Sequence, residues 1–128
     1  MTKEQQQSNA QKLLTEYRPT IWRKLVLETI PVTGQMALKS CLKRIRFTKD
    51  LVAMLRKDRL LGEKLYWIIF STYMTERQLG SIEEILDYLV QNYGYVPRRT
   101  YFRLRGRAID ILDSHLDALA LEKLLFSS

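Results

Sequence analysis

A cluster of arginines in the second half of the chain carries the strongest chemical signal. Residues 96–108 contain five arginines and no acidic residue: Arg98, Arg99, Arg103, Arg105 and Arg107. Pro97 precedes them, and proline is favoured in the first turn of a helix. Guanidinium groups bind phosphates, and they also bind the edge of guanine through two hydrogen bonds. The cluster therefore predicts a surface for a polyanion.

The spacing of these residues predicts a helix with two different sides. Arg99, Arg103 and Arg107 recur every four residues, so they share one side of a helix. Arg98 and Arg105 flank that side. An apolar stripe falls opposite and is formed by Tyr101, Leu104, Ala108, Ile111 and Leu112. The arginines are thus expected to face outward while the stripe packs.

The segment before the cluster predicts a second helix over residues 81–92. Ser81 and Glu84 fit a capping box, and Gly94 and Tyr95 link this helix to the next. Two helices joined by a short turn, the second beginning with arginines, form the layout of a helix-turn-helix that reads the DNA major groove. We therefore predict duplex DNA as the partner.

Each residue of the cluster has a predicted role. Base edges are assigned to Arg99, Thr100 and Arg103, and phosphates to Arg98, Arg105 and Arg107. Tyr101 is predicted to lie in the core, while Phe102 is left open between base stacking and packing. The alternative is a solvated basic surface whose arginines pair with Asp110, Asp113 or the acids of the preceding helix.

A second basic block lies in the first half of the chain. Residues 39–59 hold eight basic and two acidic side chains, within a formal net charge of +7. The predicted secondary basic face consists of Lys39, Lys43, Arg44, Arg46 and Lys49. This face could bind flanking phosphates or an acidic protein surface, and an exposed helix side explains it equally well.

Catalytic chemistry finds little support. His115 is the only histidine and Cys41 the only cysteine, and neither metal-ligand spacing nor a glycine-rich phosphate loop occurs. We predict no enzyme, no metal and no cofactor. A single cysteine forms no intramolecular disulfide, and no apolar run is long enough to span a bilayer. These features predict a cytosolic protein with no membrane partner.

The remaining pattern predicts an all-α helical bundle with a C-terminal helix-turn-helix. Proline and glycine are few, and no alternating pattern suggests strands. Ser8 or Asn9 is expected to cap a first helix. A basic helix is predicted from residue 35 to about 56, although Thr48 could cap a fresh helix within it. Residues 62–74 predict a buried aromatic helix, and Trp22 and Trp67 are predicted to be core residues.

The predicted organisation has two regions that form one compact unit. Residues 1–60 form an N-terminal helical region with the basic face, and residues 61–128 form the helix-turn-helix region with an extended last helix. An apolar seam continues past the motif through Leu112, Leu116, Leu119 and Phe126. Either the N-terminal helices or a second copy must cover this seam, and we favour a homodimer.

The C-terminal half resembles region four of sigma factors and, more closely, small phage late transcription regulators of the ArpU and RinA type. The resemblance rests on residues 63–73, 82–89, 99–103 and 107–109. The longer turn at residues 91–95 and Pro97, in place of a small polar cap, depart from the usual pattern. The resemblance implies a phage- or prophage-encoded DNA-binding regulator that works with RNA polymerase. Two alternatives stay open: a protein-interaction module that modulates host machinery, and a DNA-packaging or replication adaptor.

Overall fold

The computed structural model describes residues 7–29 and 35–126, the last three of them by backbone alone. This part of the chain contains no strand, which confirms the prediction of an all-helical fold. Its six α-helices are α1 (Asn9–Thr15), α2 (Tyr17–Glu28), α3 (Gln35–Ala53), α4 (Gly62–Ile69), α5 (Ile82–Asn92) and α6 (Arg98–Phe126).

Local polar side chains explain where α1 begins and why no new helix starts within α3. The hydroxyl of Ser8 accepts a hydrogen bond from the Gln11 N–H at 3.2 Å, so Ser8 caps α1 as predicted. Thr48 does not cap a fresh helix. Its buried hydroxyl donates to the Arg44 carbonyl at 3.0 Å, one turn back. The helix therefore runs through this point to Ala53 and ends in a 3₁₀ turn, Met54–Lys57.

The start of α4 is fixed by a carboxylate and a close backbone approach. Asp58 accepts hydrogen bonds from the N–H groups of Leu61 and Leu60 at 2.9 and 3.0 Å. These donors hold the pKa of Asp58 below its ordinary value, because they stabilise its charged form. Gly62 is buried, and a Cβ there would lie 2.6 Å from the Arg56 carbonyl oxygen. Only glycine fits this contact without a backbone shift.

One hydrophobic core draws on both halves of the chain. Helix α4 lies at its centre, and Leu65, Ile68 and Ile69 are fully buried there, as predicted for a helix that is apolar nearly all round. Trp67 is only partly buried and packs against this core. The N-terminal helices contribute Leu14 and Val52, among other residues, to the same cluster.

An arginine that the sequence did not single out joins α2 to the end of the α4 segment. After Ile69 the helix widens into a π-helical turn, Phe70–Met74. The Arg18 guanidinium donates to the Thr75 carbonyl at 2.9 Å, the Thr75 hydroxyl at 2.8 Å and the Thr72 carbonyl at 3.3 Å. Burial lowers the pKa of Arg18. These bonds satisfy carbonyl groups that the end of the helical segment leaves unpaired.

The prediction that Trp22 lies in the core is wrong. Helix α2 buries Tyr17 and Thr20 instead, while Trp22 is 68% exposed and Leu25 and Val26 are also exposed. Apolar residues occupy more than one side of α2, so their spacing alone does not decide which side packs. The structure consequently leaves an apolar surface on this helix.

The seam of the last helix is covered in part by the N-terminal helix. Leu112 is fully buried, Leu116 packs partly buried against the core, and Leu119 is exposed. Helix α1 lies against α6, and the Ala10 N–H donates to the Asp113 carboxylate at 2.8 Å. The side chain of Phe126 falls outside the part that the structure describes. Contacts among the described residues therefore cover the beginning of the seam and leave Leu119 exposed.

Candidate nucleic-acid interface

Helix α5 begins with the capping arrangement that the sequence predicts. The Ser81 hydroxyl accepts from the Glu84 N–H at 3.2 Å, and the Glu84 carboxylate accepts from the Gly80 N–H at 3.1 Å. The carboxylate thus reaches one residue further back than in the standard capping box. Ile85 and Leu89 are buried, and they anchor α5 in the core. The helix before the arginines is therefore firmly placed.

A five-residue turn, 93–97, connects α5 to α6. The N–H groups of Tyr93 and Gly94 both donate to the Leu89 carbonyl at 2.7 Å, which ends α5. Val96 is buried and fixes the middle of the turn to the core. The Tyr101 N–H donates to the Pro97 carbonyl at 2.8 Å, so α6 begins at Arg98. The predicted start of this helix is confirmed.

Burial of one side of α6 fixes the direction of its arginines. Tyr101, Leu104, Ala108 and Leu112 are buried, and α6 packs chiefly against α4 and α1. The hydroxyl groups of Tyr101 and Thr72 lie 2.7 Å apart in a hydrogen bond. The predicted core position of Tyr101 is thereby confirmed, and the other side of the helix is left to Arg99, Arg103 and Arg107, which are exposed.

Arg99 and Arg103 form no ion pair with another described residue, as is also true of Arg105 and Arg107. Arg98 differs, since it pairs with Glu83 of α5 at 3.0 Å. Both partners of that pair are well exposed, so water screens their attraction and a stronger anion can displace it. Thr100 is half-buried at the edge of the exposed side. The first two turns of α6 therefore present uncompensated positive charge.

Arg105 lies on the flank of α6 over aromatic rings. Its guanidinium carbon is 5.2 Å from the centre of the Phe102 ring and 5.6 Å from that of Tyr101. Burial raises the pKa of Tyr73, and the charge of the nearby Arg105 opposes that rise. Phe102 is 38% exposed and packs edge-on against Tyr101. Arg105 thus has a packing role in addition to its predicted phosphate contact.

Arg107 lies near the turn that precedes α4. The two backbone hydrogen bonds described above are the main cause of the lowered pKa of Asp58, and the positive charge of Arg107 lowers that pKa further. Lys57 and Arg59 flank Asp58 in the chain, and both are exposed. The 3₁₀ turn Met54–Lys57 contacts α6, so Lys57 and Arg59 belong to a segment that borders this helix. The sequence assigns Lys57 and Arg59 to the second basic block, but it does not reveal that this end of the block lies beside α6.

The secondary basic face lies along α3. Lys39, Lys43, Arg46 and Lys49 are exposed, and Arg44 forms an ion pair with Glu16. No hydrogen bond or ion pair in the described residues joins this face to the arginines of α6.

A glycine lies among the exposed arginines of α6. Gly106 is exposed, and a Cβ built on it would meet no atom within 4 Å. Glycine inside a helix costs about 1 kcal/mol relative to alanine. Packing within the chain does not require this glycine. It leaves the α6 backbone accessible between Arg103 and Arg107.

The two residues considered for catalysis lie on different helices. His115 is half-buried on α6 and Cys41 is buried on α3. Within the described ranges, no group of three or more potential metal ligands occurs. Likewise, none of the helices described is both long and apolar enough to cross a bilayer.

The chain was also compared with known proteins. No protein family model, no curated protein and no solved structure matches the chain.

Proposed function

We propose that this chain binds duplex DNA with α6 as the recognition helix of a helix-turn-helix in which α5 is the supporting helix, and that it regulates transcription. The observation that carries the proposal is the pair Arg99 and Arg103, exposed without an ion-pair partner on the first two turns of α6. Arginine in the first turns of a recognition helix is well suited to contact guanine.

The dimensions and charge pattern of α6 support this proposal. A helix with its side chains is about 10–12 Å wide, which matches the roughly 12 Å width of the major groove. Residues four apart rise by about 6 Å along the axis, so Arg99, Arg103 and Arg107 span about two turns. Beyond them, α6 carries Asp110, Asp113, Asp117 and Glu122, and only one cation, Lys123, up to residue 123. Contact with DNA would therefore end before Asp110.

Roles follow from the position of each cation. Arg99 and Arg103 would reach base edges, with the half-buried Thr100 beside them. Arg107 would bind the phosphate backbone together with Lys57 and Arg59, while Arg98 would exchange Glu83 for a phosphate. The exposed Gly106 would let the helix backbone approach the DNA closely.

Regulation of transcription by a phage or prophage protein is the biological setting that we propose. It rests on the resemblance of residues 63–73, 82–89, 99–103 and 107–109 to late regulators of the ArpU and RinA type. RNA polymerase is then the expected protein partner. A reporter gene driven by a selected site should change its expression when this chain and the matching polymerase are present.

Selection of binding sites from random duplexes tests the proposal. Wild-type protein should enrich a defined site. Arg99→Ala or Arg103→Ala should then cost about 1–3 kcal/mol on that site and relax its sequence at one position. Lys123→Ala is the matched control, because it removes an exposed cation from the far end of the same helix. Unchanged sites in both arginine variants would refute the proposed register.

A further inference from the structure

An open apolar groove lies between α2 and the π-helical turn, away from the arginines of α6. Its volume is about 800 Å³, and its apolar lining includes Ile21, Trp22, Leu25, Phe70 and Met74. Lys49 of α3 and Arg18 bring positive charge to the lining, against one carboxylate, Glu76. Trp22 and Leu25 are both exposed there. The groove is therefore apolar at its centre and net positive around it.

An exposed tryptophan beside such a groove points to a protein contact. Tryptophan is enriched among the residues that dominate binding energy in protein interfaces. Large apolar patches with a polar rim usually mark interaction sites. Trp22 makes no hydrogen bond in the described residues that would explain its position. Its exposure calls for an apolar partner.

The far end of α6 has the complementary character. Leu112 is the last fully buried residue, and the helix continues for 11 described residues to Lys123, or about 16 Å. Leu119 and Leu121 on this stretch are 43% and 57% exposed. Asp117 and Glu122 are exposed beside them. Beyond Leu116, which packs partly against the core, this end of α6 carries apolar side chains with acidic neighbours that the other described residues leave exposed.

We propose that two copies of this chain associate by placing the end of α6 of each copy in the α2 groove of the other. Leu119 would pack on Trp22 and Leu25, and Glu122, three residues further on the same side of α6, would lie near Lys49. The two surfaces carry opposite charge, which favours a second copy of this chain as the occupant of the groove. In addition, one association would cover both apolar patches of the molecule. A reciprocal contact of this kind has two-fold symmetry, which closes at the dimer. The proposal is independent of DNA binding.

Sedimentation of the full chain without DNA tests the association. Wild-type protein is expected to form dimers at about 50 µM, within the range of weak association. Trp22→Ala and Leu119→Asp should each weaken the dimer by more than about thirtyfold, as expected for central interface residues. Val90→Asp is the matched control, because Val90 is 53% exposed on α5, outside both surfaces. Circular dichroism verifies that every variant keeps its helices.

Mixing the two defective variants distinguishes this geometry from other dimers. Trp22→Ala has an intact α6 end, and Leu119→Asp has an intact groove, so a mixture regains one of the two contacts. The mixture should therefore contain more dimer than either variant alone. Dimers that pair groove with groove, or α6 end with α6 end, would leave one of the variants unaffected and would not show this recovery.

Three results would overturn the proposal. The first is a wild-type chain that remains monomeric at about 50 µM. The second is a dimer that Trp22→Ala or Leu119→Asp leaves intact, or that Val90→Asp disrupts equally. The third is a mixture with no more dimer than its components. Binding of a synthetic acidic peptide to a strictly monomeric chain would assign the groove to a different protein instead.

Discussion

Two glycine-to-alanine substitutions of opposite sign test the packing that positions α6. At Gly62, a Cβ would lie 2.6 Å from the Arg56 carbonyl oxygen and 2.9 Å from that of Leu55, and both contacts are with backbone. At Gly106, a Cβ would meet nothing within 4 Å. Gly62→Ala should therefore destabilise the protein, and Gly106→Ala should stabilise it.

The size of each effect follows from helix propensity and steric strain. Alanine gains about 1 kcal/mol over glycine inside a helix, and Gly106→Ala should keep this gain. Overpacking costs about 1–3 kcal/mol. Because Gly62 is the first residue of α4, it gains less from propensity, so we expect a net loss of about 1–2 kcal/mol. With about 2.1 cal/mol/K of unfolding entropy per residue over 128 residues, 1 kcal/mol shifts Tm by about 4 °C.

Thermal unfolding followed by circular dichroism measures both changes under one set of conditions. Gly62→Ala should lower Tm by about 4–8 °C, and Gly106→Ala should raise it by about 4 °C. A Gly62→Ala protein as stable as the wild type would show that the contact between α4 and the 3₁₀ turn is looser than the structure shows. Because the proposed DNA contact uses the exposed backbone at Gly106, Gly106→Ala should also weaken DNA binding, even though it raises Tm.

Three further substitutions test local features. Ser81→Ala removes the cap of α5 and should cost about 1 kcal/mol in urea unfolding; no loss would mean that Glu84 alone satisfies the helix start. Arg18→Leu leaves the carbonyls of Thr72 and Thr75 without their donor and should cost about 2 kcal/mol, whereas exposed Arg23→Leu should change little. Asp58 has a lowered pKa when folded, so its stabilising effect is present above its ordinary pKa of 3.8 and disappears as pH falls through the lower folded value. Asp58→Ala should therefore be less stable than wild type at pH 6 and equally stable well below pH 3.8; a difference that persists in acid would contradict the role of the carboxylate.

Features set by neighbouring residues in the chain were predictable from the sequence. The caps at Ser8 and Ser81 and the start of α6 at Arg98 depend on side chains within a few residues of the helix ends. The buried side of α6 followed from the regular spacing of Tyr101 and Leu104. In these cases one short segment contains all the groups that interact.

Features set by contacts between distant segments were not predictable. The exposure of Trp22 depends on which side of α2 faces the core, and α2 has apolar residues on more than one side. The approach of Arg107 to Asp58 joins segments about fifty residues apart. No periodicity in the sequence reports such contacts.

The salt dependence of binding to a random duplex tests the proposed DNA interface most directly. If about five cations of the α6 surface neutralise phosphates, the slope of log K against log salt should be about −4.5, and affinity should fall about 500-fold between 50 and 200 mM salt. Arg107→Ala should reduce the magnitude of the slope by about one, and Lys123→Ala should leave it unchanged. Binding that is insensitive to salt, or no binding at 50 mM salt, would contradict the assignment of α6 to DNA.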